Sequence, residues 1–150
     1  MNFINYRNTS WHCFKFKKEF LSILEEARIE FNEEKFLSVD VLFVTAKEMK
    51  KLNLEHRNKD YTTDILSFPF DGKDELDFLE ELPLGQIIIS PWKIKKQAKE
   101  FNHSLKREFC YIFAHGIAHL FGFDHIEENE AKIMNEHVEN IMKRLNITRG

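Results

Sequence analysis

The chain has 150 residues, 43% of them hydrophobic and 31% charged, with five Gly and three Pro. Those figures fit one folded domain whose core needs no disulfide or structural metal, and they exclude a disordered or collagenous chain. A net charge of −3 excludes a protein whose whole surface grips nucleic acid by counterion release. No apolar run reaches the roughly 20 residues of a membrane helix. The opening MNFINYRNTSWH has the apolar core of no secretory signal and is not an Arg-rich transit sequence. Cys13 and Cys110 form no Cys-x-x-Cys pair, so a reducing cytoplasm is the expected compartment.

In chain order, Asn2 to Tyr6 alternates enough for a short strand. Phe16, Phe20, Leu24, Ala27 and Phe31 recur every three or four residues and predict a helix from Phe14 to Phe31. Ser38 to Val44 sets Val39, Val41 and Phe43 against Asp40, Leu42 and Val44, the pattern of a central strand. Thr45 with Glu48 fits a capping box that opens a helix to about Leu54. After a polar turn over Asn58 to Thr63, Ile65 to Phe70 reads as a strand ended or edged by Pro69. Asp71 to Glu81 holds six acids against the single base Lys73 and reads as an exposed loop.

Gln86 to Ile89 predicts a short apolar strand, closed by Ser90 as N-cap and Pro91 at the first helical position. The helix that follows, to about Phe101, carries Lys93, Lys95, Lys96 and Lys99. From Leu105 to about Phe121 a helix begins polar and becomes apolar on most faces, as a central helix does, and Gly122 stops it. The last helix, Glu127 to about Leu145, aligns Ala131, Met134, Val138, Ile141 and Leu145. The order βαβαββααα, without repeats or a low-complexity linker, predicts one α+β domain over residues 1–150, a small mixed sheet with helices.

HGIAHLFGFDH, from His115 to His125, carries the chemistry. Four residues apart on a helix, His115 and His119 project from one face, and a turn at Gly122 lets His125 return as a third ligand. Three neutral imidazoles leave one tetrahedral position open, the arrangement of a catalytic rather than a structural zinc. The spacing H-x3-H-x2-G-x2-H is that of metzincin proteases, in which a glutamate follows the first histidine as general base. Here that position is Gly116, so a metal site is expected without a peptidase's base.

The segment also resembles the hallmark HGxLHLxGYDH of the YbeY-type bacterial endoribonucleases. Leu52-Asn53 with Arg57, the run Thr63 to Pro69, and Leu84 to Ile87 are similar to that family's upstream blocks, so the resemblance spans almost the whole chain. His103 and Arg107 match a histidine and a basic residue before the metal helix. Ala118, Phe123 and Gln86 depart from the pattern, Gln86 where an acid is common. The resemblance implies a zinc-dependent endoribonuclease of single-stranded RNA, acting in ribosomal RNA maturation, including the small-subunit 3′ end, and in ribosome quality control. It implies one zinc on His115, His119 and His125, and Arg57 as the basic active-site residue. The implied partners are single-stranded RNA, ribosomal RNA or the small ribosomal subunit, with no membrane and no DNA.

Two other readings stay open: a zinc metallopeptidase, from the shared spacing, and a non-catalytic metal-stabilised module that binds ribosomal partners. Asp124 is a candidate to orient a ligand. Met134 and Cys110 read as packing, and His103 and His137 as surface or boundary residues. A phosphate track is expected from Arg57 and Lys59 past the metal toward Lys93 to Lys99, or Lys106 and Arg107, with the acidic loop on the far rim.

Overall fold

Strands β1 (Phe3–Asn8), β2 (Phe36–Phe43), β3 (Ile65–Pro69) and β4 (Glu81–Ile89) form one sheet in the order β1-β2-β4-β3. The computed structural model describes residues 1–72, 75–124 and 127–147. β1 and β4 both run parallel to β2, and β3 pairs antiparallel with β4 at the edge. The helices are α1 (Lys17–Glu30), α2 (Ala46–Arg57), α3 (Pro91–Glu100), α4 (Leu105–Leu120) and α5 (Glu128–Arg144). The expected α+β order is therefore present, on a mixed sheet.

Alternation along β2 decides which helices pack where. Leu37, Val39, Val41 and Phe43 face the main core, where they meet Phe20, Ile23, Leu24 and Ala27 of α1, Phe109, Phe113 and Ile117 of α4, and Met134, Val138 and Ile141 of α5. Phe20 and Phe113 stack at its centre, 4.0 Å between ring centroids. The opposite face is smaller: Met49 of α2 packs with Val44, Leu66 and Ile88. Cys110 and Met134 are fully buried, as packing residues should be, and burial pushes the Cys110 thiol up to about 12.

The helix ends follow from local hydrogen bonding. Thr45, Ser90 and Ser104 accept from the backbone N–H of Glu48, Lys93 and Arg107, and the Thr45 hydroxyl also donates to Glu48 Oε1 at 3.0 Å. Gly122, at φ 101, ends α4, and the Phe123 N–H returns to the Ala118 carbonyl at 3.1 Å. Asparagine takes the same left-handed role after the other four helices, as Asn32, Asn58, Asn102 and Asn146.

Some boundaries differ from expectation. β1 reaches Asn8, α2 reaches Arg57, and α1 starts only at Lys17, although Phe14 and Phe16 still pack on the core. β4 begins at Glu81 rather than Gln86, so the exposed acidic stretch ends one residue earlier; Lys73 and Asp74 lie outside the described residues. Pro83 and Gly85 hide the first half of this strand, because neither has strand propensity. The β2–β4 register shifts between Ser38 and Asp40 opposite this segment. At Gly85, φ is 141° and a Cβ would stand 2.2 Å from the Phe68 carbonyl oxygen. Among the described residues no helix is long and apolar enough to cross a membrane.

Candidate functional site

α4 is the element that builds the site, and Gly116 is why it lies so close to the sheet edge. A Cβ at Gly116 would stand 2.7 Å from Ile65 Cδ1, 3.2 Å from Ile87 Cδ1 and 3.3 Å from Ser67 Oγ. The missing side chain lets the helix backbone settle onto β3 and β4. His115 and His119, half-buried, then line an open cleft of about 770 Å³ between α4 and edge strand β3. Their ring centroids are 4.9 Å apart with planes at 76°. Tyr111, one turn earlier on the same face, stacks toward His115 at 6.4 Å and lines the cleft as well.

The opposite wall is the end of α2. His56 and Arg57 are exposed and face the cleft, with the His56 ring 4.9 Å from that of Phe68 on β3. Asn53, fully buried one turn before, donates from Nδ2 to the Tyr61 carbonyl at 2.8 Å. Thr62 Oγ1 donates to the Ala46 carbonyl at 3.1 Å. These two bonds fasten the turn after α2 to the helix itself. The turn then delivers Thr63 and Asp64 to the cleft, where the Asp64 carbonyl accepts from Ser90 N–H at 3.0 Å.

The fold thus brings Arg57, His115 and His119 to one cleft, with Asp124 on its wall. His125, the third expected ligand, lies outside the described residues. Among the described residues no set of three His, Cys, Asp or Glu side chains is grouped to hold a metal. Two imidazoles on adjacent turns with their planes at 76° nonetheless fit a divalent ion held by nitrogen donors. Tyr111 and His56 are cleft residues that sequence reasoning did not single out. The spacing of Tyr111, His115 and His119 at four-residue steps carried the signal for the first; nothing in the sequence marked His56.

One expected surface cation is not on the surface. Arg107 is 3% exposed: Nη2 donates to Glu139 Oε1 at 2.8 Å, Nη1 to the Ile147 carbonyl at 3.1 Å, and its guanidinium lies 4.8 Å from the Tyr111 ring centre. It belongs to the internal frame of α4 and α5, so it drops out of the phosphate track. His103 pairs with Glu108, and His137 with Glu30 at 2.7 Å; both are boundary residues. The acidic loop leaves the cleft after Pro69 and is drawn to the start of β2, where Lys35 Nζ donates to the Asp77 carbonyl at 2.6 Å.

A family model described as endoribonuclease YbeY matches residues 3–146 of this chain. An endoribonuclease YbeY of Mycoplasmopsis pulmonis is 52% identical over 149 residues, covering 99% of this chain and 100% of the relative. One from Mycoplasma mobile is 45% identical over 99% of this chain and 97% of its own length. Another, from Caldicellulosiruptor bescii, is 43% identical over 85% of each. The solution structure of TM1509 from Thermotoga maritima is similar with a TM-score of 0.59 and 25% identity, covering 97% of this chain and 91% of that one.

Proposed function

Since the chain belongs to the endoribonuclease YbeY family, hydrolases that act on RNA, we propose that it cuts single-stranded RNA in this cleft with one zinc ion held by His115, His119 and His125. The substrate is ribosomal RNA, with the small-subunit 3′ end as the target, in ribosome maturation and quality control in the cytoplasm. Residues 1–150 act as one catalytic domain.

The observation that carries this reading is the meeting of Arg57, from the end of α2, with His115 and His119 of α4 in one cleft. When bound, the ion supplies a Lewis acid that polarises a phosphoryl oxygen and lowers the pKa of water. The protein supplies the rest. Arg57 presents a planar fork matched to two phosphate oxygens. His115 and His119 sit on consecutive turns of a helix wedged against the sheet, so they do not need to reorganise when substrate enters. The cleft lies along an edge strand and stays open, which admits an unpaired strand without unwinding a duplex.

Gly116 counts against the peptidase reading. A glutamate there would start from a backbone already in contact with Ile65, Ile87 and Ser67. The test strips the protein with chelator, refills it with zinc, and challenges both forms with unstructured RNA and with casein. RNA cut by the refilled form alone is the expected result. Casein cleavage would support the peptidase, and cleavage of neither would leave a non-catalytic module.

A further inference from the structure

Away from the cleft, the loop between β1 and α1 displays a tryptophan at a conformational cost. Trp11 is 97% exposed and adopts φ 66°, a left-handed conformation that large side chains avoid. The surrounding turn holds it there. Asn8 Oδ1 accepts from Ser10 N–H at 2.9 Å and from Ser10 Oγ at 2.6 Å, Asn8 Nδ2 donates to the His12 carbonyl at 2.7 Å, and Ser10 Oγ accepts from His12 N–H at 3.2 Å. His12 then stacks on buried Phe109, 5.7 Å between ring centroids. An indole whose backbone is held so as to turn it outward contributes little to the core.

It faces a concavity of about 570 Å³ whose lining includes Trp92, Lys15 and Lys95. Trp92, in the first turn of α3, is 52% exposed, and Lys96 Nζ lies 5.3 Å from its ring centre. Burial, then the nearby Lys95 and Lys15 ammonium groups, hold the His12 imidazole below its ordinary pKa. Positive charge therefore converges here. The neighbouring carboxylate of Glu48 accepts from the hydroxyls of Thr9 and Thr45, both at 3.0 Å.

Aromatic faces interleaved with lysines are the chemistry that holds unpaired nucleic acid: bases stack and the backbone meets cations. α3 links this surface to the candidate site. Its first turns supply Trp92 and Lys95 to the concavity, and its far end supplies Gln97 and Phe101 to a hollow that shares Asp64, Tyr111 and Ile112 with the cleft. At about 1.5 Å per residue the helix bridges roughly 15 Å.

We propose that Trp11 and Trp92, with Lys15 and Lys95, form an aromatic clamp for unpaired bases of single-stranded RNA whose chain continues along α3 into the cleft. The clamp rests on the RNA-cleaving function proposed above, and it sets a preference for long unpaired substrates over short ones.

The two tryptophans of the clamp are the only two in the chain, so selectively excited tryptophan emission reports on this surface and not on the cleft. Oligouridylate should quench the emission of the unmodified, zinc-loaded protein saturably, with the midpoint seen by anisotropy of the end-labelled RNA. Trp11→Ala with Trp92→Ala should weaken long oligouridylate by about tenfold or more and leave the cleavage rate of a short oligonucleotide confined to the cleft unchanged. Lys95→Glu should lower the salt slope by about one unit. RNA that binds by anisotropy without altering tryptophan emission overturns the clamp while the nuclease function stands. Quenching without any cleavage keeps the clamp and overturns the nuclease function. Full RNA affinity in the double variant, together with lost binding of a ribosomal protein, also overturns the clamp and assigns the surface to a protein partner.

Discussion

Gly116 and Ile65 meet so closely that a Cβ on the first would lie 2.7 Å from Cδ1 of the second. This contact sets the depth at which α4 sits on the sheet, and through it the position of His115 and His119 at the cleft. The residue between two candidate ligands is thus a packing residue, and its backbone faces the sheet rather than the substrate.

Gly116→Leu should therefore lower stability by about 3 kcal/mol, the upper range for forcing atoms into a filled core. The readout is urea denaturation. A variant as stable as the parent would show that α4 can lift from β3 at no cost, and that the glycine has no part in seating the helix.

Asn53 is a second residue whose work is positional. Asn53→Ala removes the donor to the Tyr61 carbonyl and should cost about 1–2 kcal/mol, since a part-buried hydrogen bond made by a fully buried amide is lost. Asn53→Asp should not restore the loss, because an ionised carboxylate cannot donate. Faster amide exchange across the turn after α2 should accompany both substitutions; unchanged exchange there would refute the tether.

Acid should act on the seam between α1 and α5. Glu30 is nearly buried, which by itself would raise its pKa, yet hydrogen bonds from His137, Arg144 and Asn140 together hold its carboxyl below the ordinary value of 4.5. A carboxylate depressed in the folded state contributes stability above its unfolded pKa and loses it as pH falls through the folded one. Glu30→Gln should thus destabilise by about 1.5–3 kcal/mol at neutral pH, and the gap to the parent should close as pH falls from 4.5. A gap that persists in strong acid would mean that packing, not charge, sets the effect.

The sequence disclosed most where one local rule governs. The Thr45 cap, the stop at Gly122 and the stripe of α5 each depend on near neighbours, and each is found, with Ala131 alone of the stripe outside the hydrophobic core. Four asparagines that end helices went unread, because asparagine also serves in caps and turns and its left-handed φ is settled by the helix that precedes it. The first half of β4 and the burial of Arg107 were equally hidden. Pro83 is tolerated where the β2–β4 register shifts, and Arg107 is buried by Glu139 and the Ile147 carbonyl, which lie far along the chain. The site shows the same division. The histidine pair follows from helical spacing, whereas its meeting with Arg57 depends on how α2 and α4 pack about the sheet.

That meeting is best tested by the initial rate of cleavage of unstructured RNA, measured with zinc content on the same His119→Ala and Arg57→Ala preparations. His119→Ala should lose both the metal and the activity. Arg57→Ala should keep its zinc and cut more slowly by about two orders of magnitude, the scale for removing one preorganised charge from a developing anion. Cleavage by His119→Ala at the parent rate would contradict the account, because the histidine pair would then have no part in cutting RNA.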